Sequence, residues 1–197
     1  MGDAIRDALD RSERTIDSLL SLARSGVAET SSHVDLAQVI EKCLDDTSRQ
    51  RAERGITVHR TGDPTAIVRG DPSLLDRMIG NIVQNATLHN IDGGDITVDL
   101  TNSSTGVTCT ITNTGPVLTS VDRLGEPFYR GDNSTGRPGS GLGLVVADSI
   151  ARAHRGQILL SPNPGGGLAV HVHLPARTHA DAGPPDTTSS TESLSNR

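Results

Sequence analysis

The stretch Arg137-Pro138-Gly139-Ser140-Gly141-Leu142-Gly143-Leu144 sets three glycines at alternate positions, at the start of an expected helix near 142–154. Glycines at a helix start let backbone N–H groups approach an anion closely, and the helix N-terminus adds partial positive charge. Taken alone, such a loop is equally a flexible hinge. It lacks the Lys-Ser/Thr ending of a P-loop, and no strand precedes it as a dinucleotide fingerprint requires. Its reading depends on what surrounds it.

Upstream lies Asn81-Ile82-Val83-Gln84-Asn85-Ala86. Asn81 and Asn85 are four apart and share one helix face. Asp71-Pro72 opens that helix as cap and first-turn proline, and it runs to about Asn90. Amides are poor helix-interior residues. Contact with a metal or a phosphate gives them a reason to be there; solvated or capping asparagines are the alternative. Thr112-Asn113-Thr114-Gly115-Pro116 ends an alternating strand, and Leu124-Gly125-Glu126-Pro127-Phe128-Tyr129-Arg130 holds the one Phe and the one Tyr of the chain.

Farther out, residues 3–25 read as one long helix with a seam of Ile5, Leu9, Ser12, Ile16, Leu19 and Ala23, stopped by Gly26. Residues 27–33 are a polar linker. Asp35 then caps a helix through about Arg54, closed by Gly55, and two short strands follow near 56–60 and 65–69. Strands 95–101 and 107–112 come next, and a hairpin of 157–161 and 167–174 closes the domain. From Ala176 to Arg197 almost nothing is apolar, which predicts a disordered tail. The expected fold is α+β: a two-layer α/β sandwich with a mixed, mostly antiparallel sheet, helices on one face, and one long helix ahead of it.

The 197 residues are 34% hydrophobic and 21% charged, enough for one domain with its own core, and the absence of Trp makes that core aliphatic. Few aromatics and a net charge of −6 exclude a nucleic-acid binder, which needs stacking platforms and clustered cations. Cys43 and Cys109 stand apart from any CxxC pattern, so buried thiols are expected rather than a disulfide or a zinc site. No apolar run approaches the ~18 residues of a membrane span, and the N-terminus lacks a signal stretch. A cytoplasmic chain without membrane insertion is the expectation.

The order and spacing of these four stretches resemble the ATP-binding catalytic domain of bacterial two-component sensor histidine kinases, in the wider family that includes gyrase and MutL. Asn81 to Asn85 is similar to the N box, Asn113 to Pro116 to the first glycine box, Leu124 to Arg130 to the F box, and Gly139 to Leu144 to the second glycine box. The resemblance runs from about 34 to 175. It implies ATP and Mg²⁺ as cofactors, with Asn85 as the metal ligand and Asn113 facing the adenine. Gly115 would let the backbone pass close to the base. Gly139, Gly141, Leu142 and Gly143 would line the phosphates, with Arg130 and His89 as further cofactor contacts. The candidate catalytic residues are Arg137, reaching the γ-phosphate, and Asn81, which stands where the gyrase-like branch has its general-base Glu. Three departures imply weaker nucleotide binding without its loss: Gly125 in place of a Phe, Val117 in place of a Gly, and Leu88 in place of a Lys or Arg.

None of the seven histidines has the His-Glu-Leu-Arg-Thr-Pro-like context of a phosphoacceptor, whereas residues 1–26 resemble the second helix of the dimerisation hairpin. The expectation is a split kinase. Its catalytic part would transfer the γ-phosphate in trans to a histidine on a companion polypeptide, with a response regulator downstream. A fragment that only binds ATP, and an anti-sigma-type serine kinase or sequestering switch, are the alternatives.

Overall fold

A computed structural model of the chain describes residues 32–118, 120, 121, 124 and 142–176. In chain order its elements are β1 (Ser32–Asp35), α1 (Leu36–Asp46), α2 (Ser48–Glu53), β2 (Thr57–Gly62), β3 (Ile67–Gly70), α3 (Pro72–Leu88), β4 (Asp95–Ser103), β5 (Gly106–Asn113), α4 (Gly143–Ala153), β6 (Gln157–Pro162) and β7 (Leu168–Pro175). Five strands form one sheet in the order β2-β4-β5-β7-β6; β2 runs parallel to β4 and the remaining pairs are antiparallel. A separate two-stranded ribbon joins β1 to β3.

Alternation along the strands sorts the two faces of the sheet. Ile96, Val98 and Leu100 of β4, Cys109 and Ile111 of β5, and Val170 and Val172 of β7 are buried. They pack with Leu36, Ile40 and Leu44 of α1, with Leu75, Met78, Ile79 and Ile82 of α3, and with Leu144, Ala147 and Ile150 of α4 in one aliphatic cluster. The opposite face is polar: Thr110 Oγ1 lies 3.1 Å from His171 Nδ1, and His171 Nε2 lies 3.0 Å from Ser161 Oγ. Helices on one face and a polar open face make the two-layer sandwich that the alternation predicts.

Two expectations need correction. The single helix expected from Asp35 to about Arg54 is broken at Thr47. The Leu44 carbonyl accepts from the Thr47 amide at 3.2 Å, from Thr47 Oγ1 at 3.0 Å and from Arg51 Nη2 at 2.8 Å, so the ladder ends there. Ser32 and His33, placed in a linker by their polarity, belong to β1, where Val34 pairs with Val68 and both are buried.

Both helices that lead to the site are fixed at their far ends. Asp71 caps α3 by accepting from the amides of Ser73 at 2.8 Å and Leu74 at 3.0 Å. The amide of Asp71 in turn donates to His154 Nε2 at 3.1 Å, while His154 Nδ1 lies 2.8 Å from the Ile150 carbonyl. A ring with its proton on Nδ1 satisfies both contacts, so one buried imidazole ties the end of α4 to the start of α3.

Candidate functional site

The helix α3 brings Asn81, Asn85 and His89 along one side, at intervals of four residues. Asn81 is adjacent to the start of α4: a Cβ placed on Gly143 would lie 3.9 Å from Asn81 Cβ. The N-terminus of α4 follows Leu142 with no side-chain cap and no acidic residue in its first turn. Asn81 Nδ2 is buried and has no hydrogen-bond partner among the described residues. A buried amide donor with no acceptor costs about 1–3 kcal/mol, and here it sits beside the N-terminal end of α4, where the dipole favours an anion. The side chain of Asn85 receives no hydrogen bond from a described residue. Donors for an anion and an amide oxygen for a hard cation are thus collected at one place.

At the other end of α3 is the turn that leaves β5. Strand parity sends Asn113 to the helix side with Ile111 and Cys109, and only 3% of its surface is exposed. Asn113 Nδ2 donates to the Thr114 carbonyl at 2.7 Å. Gly115 is in close contact on three sides: a Cβ there would lie 3.0 Å from the His89 carbonyl oxygen, 3.1 Å from Gly167 Cα and 3.3 Å from Asn113 Nδ2. This juxtaposition puts Asn113, Gly115 and His89 together, with Asn85 one helical turn before His89.

Three features that hold this arrangement were not legible beforehand. Arg54, just after α2, donates from Nη1 to the Thr87 carbonyl at 2.6 Å and from Nη2 to that of Asn90 at 2.7 Å, and its Nε pairs with Asp92 at 2.8 Å. It satisfies carbonyls at the C-terminus of α3, where a cation is also favoured by the helix dipole. Asn90, fully buried, accepts from Thr114 Oγ1 at 2.6 Å. The third is the turn between β6 and β7. Gly167, at φ +99°, leaves no room for a side chain against the Asn113 carbonyl, and its amide donates to the Pro116 carbonyl at 2.9 Å. Asn90 and the glycines were visible as residues of a helix end and a hairpin turn; nothing local to Arg54 signals a contact more than thirty residues away.

Of the other expected site residues, Leu142 and Gly143 stand at the start of α4. Arg130, Arg137, Gly139 and Gly141 lie outside the described residues, as do Phe128 and Tyr129, residues 1–31 and residues 177–197.

The chain is similar to known proteins. Residues 70–178 match the family described as "Histidine kinase-, DNA gyrase B-, and HSP90-like ATPase". The chain belongs to that family. It is 38% identical over 182 residues to the sensor protein CutS of Streptomyces coelicolor, covering 89% of this chain and 44% of that relative. Among solved structures, the mycobacterial sensor histidine kinase MprB superposes with a TM-score of 0.65 at 30% identity, covering 75% of this chain and 98% of that one. The ATP binding domain of PrrB from Mycobacterium tuberculosis shares the fold, with a TM-score of 0.59 at 23% identity over 76% of this chain and 99% of that one. The chain therefore spans less than half the length of CutS, and it corresponds to the ATP-binding catalytic region of sensor histidine kinases. No helix among the described residues is long and apolar enough to cross a membrane.

Proposed function

We propose that this chain binds ATP with Mg²⁺ and transfers the γ-phosphate to a histidine outside these 197 residues, on a companion polypeptide that carries the dimerisation helices and feeds a response regulator. The observation that carries the reading is the buried Asn81 Nδ2, without an acceptor among the described residues, set beside the start of α4 and one turn from Asn85. Such a donor fits an anionic phosphate oxygen. Asn85 would hold Mg²⁺ through Oδ1; the ion, when bound, neutralises charge on the triphosphate. At the far end of α3, Asn113 Oδ1 accepts no hydrogen bond from a described residue, which suits it to the N6 amine of adenine. Gly115, where a side chain would press on the His89 carbonyl and Gly167, lets the turn pack closely beside Asn113.

Transfer to an imidazole rather than to water follows from what Asn81 lacks. Water needs a positioned base to attack the γ-phosphate, and an amide cannot take its proton. A neutral imidazole is a nucleophile near pH 7 without such help. The chain then supplies position and charge neutralisation, which suffice for phosphoryl transfer. Arg137 would contribute the second of these, and the Ile5, Leu9, Ile16 and Leu19 seam would dock on the partner helices. His33, His59, His89, His154, His171, His173 and His179 all lack a phosphoacceptor context, so none is the acceptor.

The test is γ-labelled ATP given to the 197-residue chain alone and with its companion. Label is expected on a histidine of the companion only, and Asn85→Ala is expected to remove Mg²⁺-dependent binding and transfer together. Acid-labile label on this chain by itself would overturn transfer in trans. Brisk ATP turnover by the chain alone, lost in Asn85→Ala, would replace the kinase reading with an ATPase one.

A further inference from the structure

Asn113 reads a base through an amide, and an amide has two faces of opposite polarity. With Oδ1 outward it accepts from the N6 amine of adenine; turned over, Nδ2 donates to the O6 of guanine. A carboxylate at this position would have no such choice. Base preference here therefore depends on what holds the amide in one orientation.

The structure contains such a lock. Asn113 Nδ2 is fixed by the Thr114 carbonyl at 2.7 Å, and a carbonyl can only accept, so the opposite edge of the amide is Oδ1. Thr114 is itself held by three contacts. Its hydroxyl donates to Asn90 Oδ1 at 2.6 Å and accepts the Asp95 amide at 2.8 Å, and its own amide donates to the Asp95 carbonyl at 3.0 Å. Asn90 is bound through both amide atoms in turn: Nδ2 donates to the Asp95 carbonyl at 3.0 Å and Oδ1 also accepts the Ile91 amide at 2.9 Å. Gly94 makes room for the cluster, because a Cβ there would run into both Thr114 Oγ1 and Asn90 Oδ1.

We propose that Thr114 and Asn90 are positioning residues for base recognition: their hydrogen bond holds the Thr114 carbonyl, which holds the Asn113 amide in its adenine-accepting orientation. The inference rests on Asn113 being the residue that faces the base. Neither Thr114 nor Asn90 need touch the nucleotide. Removing the Thr114 hydroxyl leaves the Asp95 amide and Asn90 Oδ1 each short of a partner, the turn relaxes, and the amide becomes able to rotate.

The experiment measures ATP and GTP affinity by calorimetry on the 197-residue chain. The unaltered chain is expected to prefer ATP; no preference would end the assignment of Asn113 itself, before any question of the lock. Thr114→Val, isosteric but without the hydroxyl, is expected to reduce the ATP-to-GTP ratio by about fivefold, the worth of roughly one hydrogen bond. Thr114→Ser should restore it. A loss of folded protein alone lowers both nucleotides equally and leaves the ratio unchanged. In an Asn113→Asp background a carboxylate cannot be turned over, so Thr114→Val should leave the ratio where Asn113→Asp puts it. A wild-type ratio in Thr114→Val, or an equal loss in the Asn113→Asp background, would overturn the proposal. Should Thr114→Val fail to fold, the side-chain amide signal of Asn113 in the unaltered chain decides by NMR. Protection of that amide retained with ATP bound supports the lock, and its release on ATP binding overturns it.

Discussion

Asn81 and Arg54 show opposite uses of a hydrogen-bond donor on one helix. Arg54 satisfies carbonyls that α3 would otherwise leave open, whereas Asn81 holds a buried donor with no partner among the described residues. Unpartnered buried polar groups persist in folded proteins chiefly where function needs them. Asn81→Leu, which keeps the branched side-chain skeleton without its polar atoms, is accordingly expected to unfold at equal or higher denaturant concentration while binding ATP more weakly. Denaturation and calorimetry on the same preparation check this. A stability loss above about 1 kcal/mol would show that the Asn81 amide is supported in the folded chain after all. The candidate residues legible beforehand were so by local pattern: Asn81 and Asn85 by the helical repeat, and Asn113 by the stretch to Pro116 that ends an alternating strand and resembles a glycine box. Arg54, Asn90 and Thr114 act through bonds that join residues brought together by the fold, and no local pattern contains those.

At the level of elements, boundaries were legible where alternation was strict and turn residues flanked it. The strands expected at 95–101 and 107–112 are Asp95–Ser103 and Gly106–Asn113, and the helix opened by Asp71-Pro72 ends at Leu88. β1 escaped notice because its four residues carry only one apolar side chain; it is a strand because Val34 meets Val68 across the ribbon. The break at Thr47 escaped because no Gly or Pro marks it before Gly55, and Arg51 reaches back to the Leu44 carbonyl from the next helix. For α3, the cap predicts a measurable cost. Asp71→Ala removes the acceptor of the Ser73 and Leu74 amides and should lower stability by about 1 kcal/mol, seen as a lower denaturation midpoint. Asp71→Asn, which keeps an acceptor oxygen, should lose only part of that. An unchanged midpoint in Asp71→Ala would mean that other partners of the α3 start suffice.

Across the whole molecule, the layer arrangement was legible from patterning, but the mixed character of the sheet arises in the crossover that makes β2 parallel to β4, with β3 and α3 between them in the chain. Both thiols lie within the layers, and burial pushes Cys43 up to about 11 and Cys109 up to about 12 from the ordinary 9.0. Folded thiols therefore keep their protons where unfolded ones lose them. Their contribution is intact below about pH 9 and is lost as pH rises toward 11 and 12. The denaturation midpoint is expected to fall above pH 9, and to fall less steeply in a Cys43→Ala, Cys109→Ala double variant; equal slopes would refute the thiol origin. The aliphatic core has one more effect, on how the protein responds to light. With no Trp, one Tyr and one Phe, the chain is nearly dark in the near ultraviolet. A single indole placed at Val117, which is 74% exposed and two residues from Gly115, would be its only strong fluorophore. Its emission would report on the turn that leaves β5 without background from the rest of the protein.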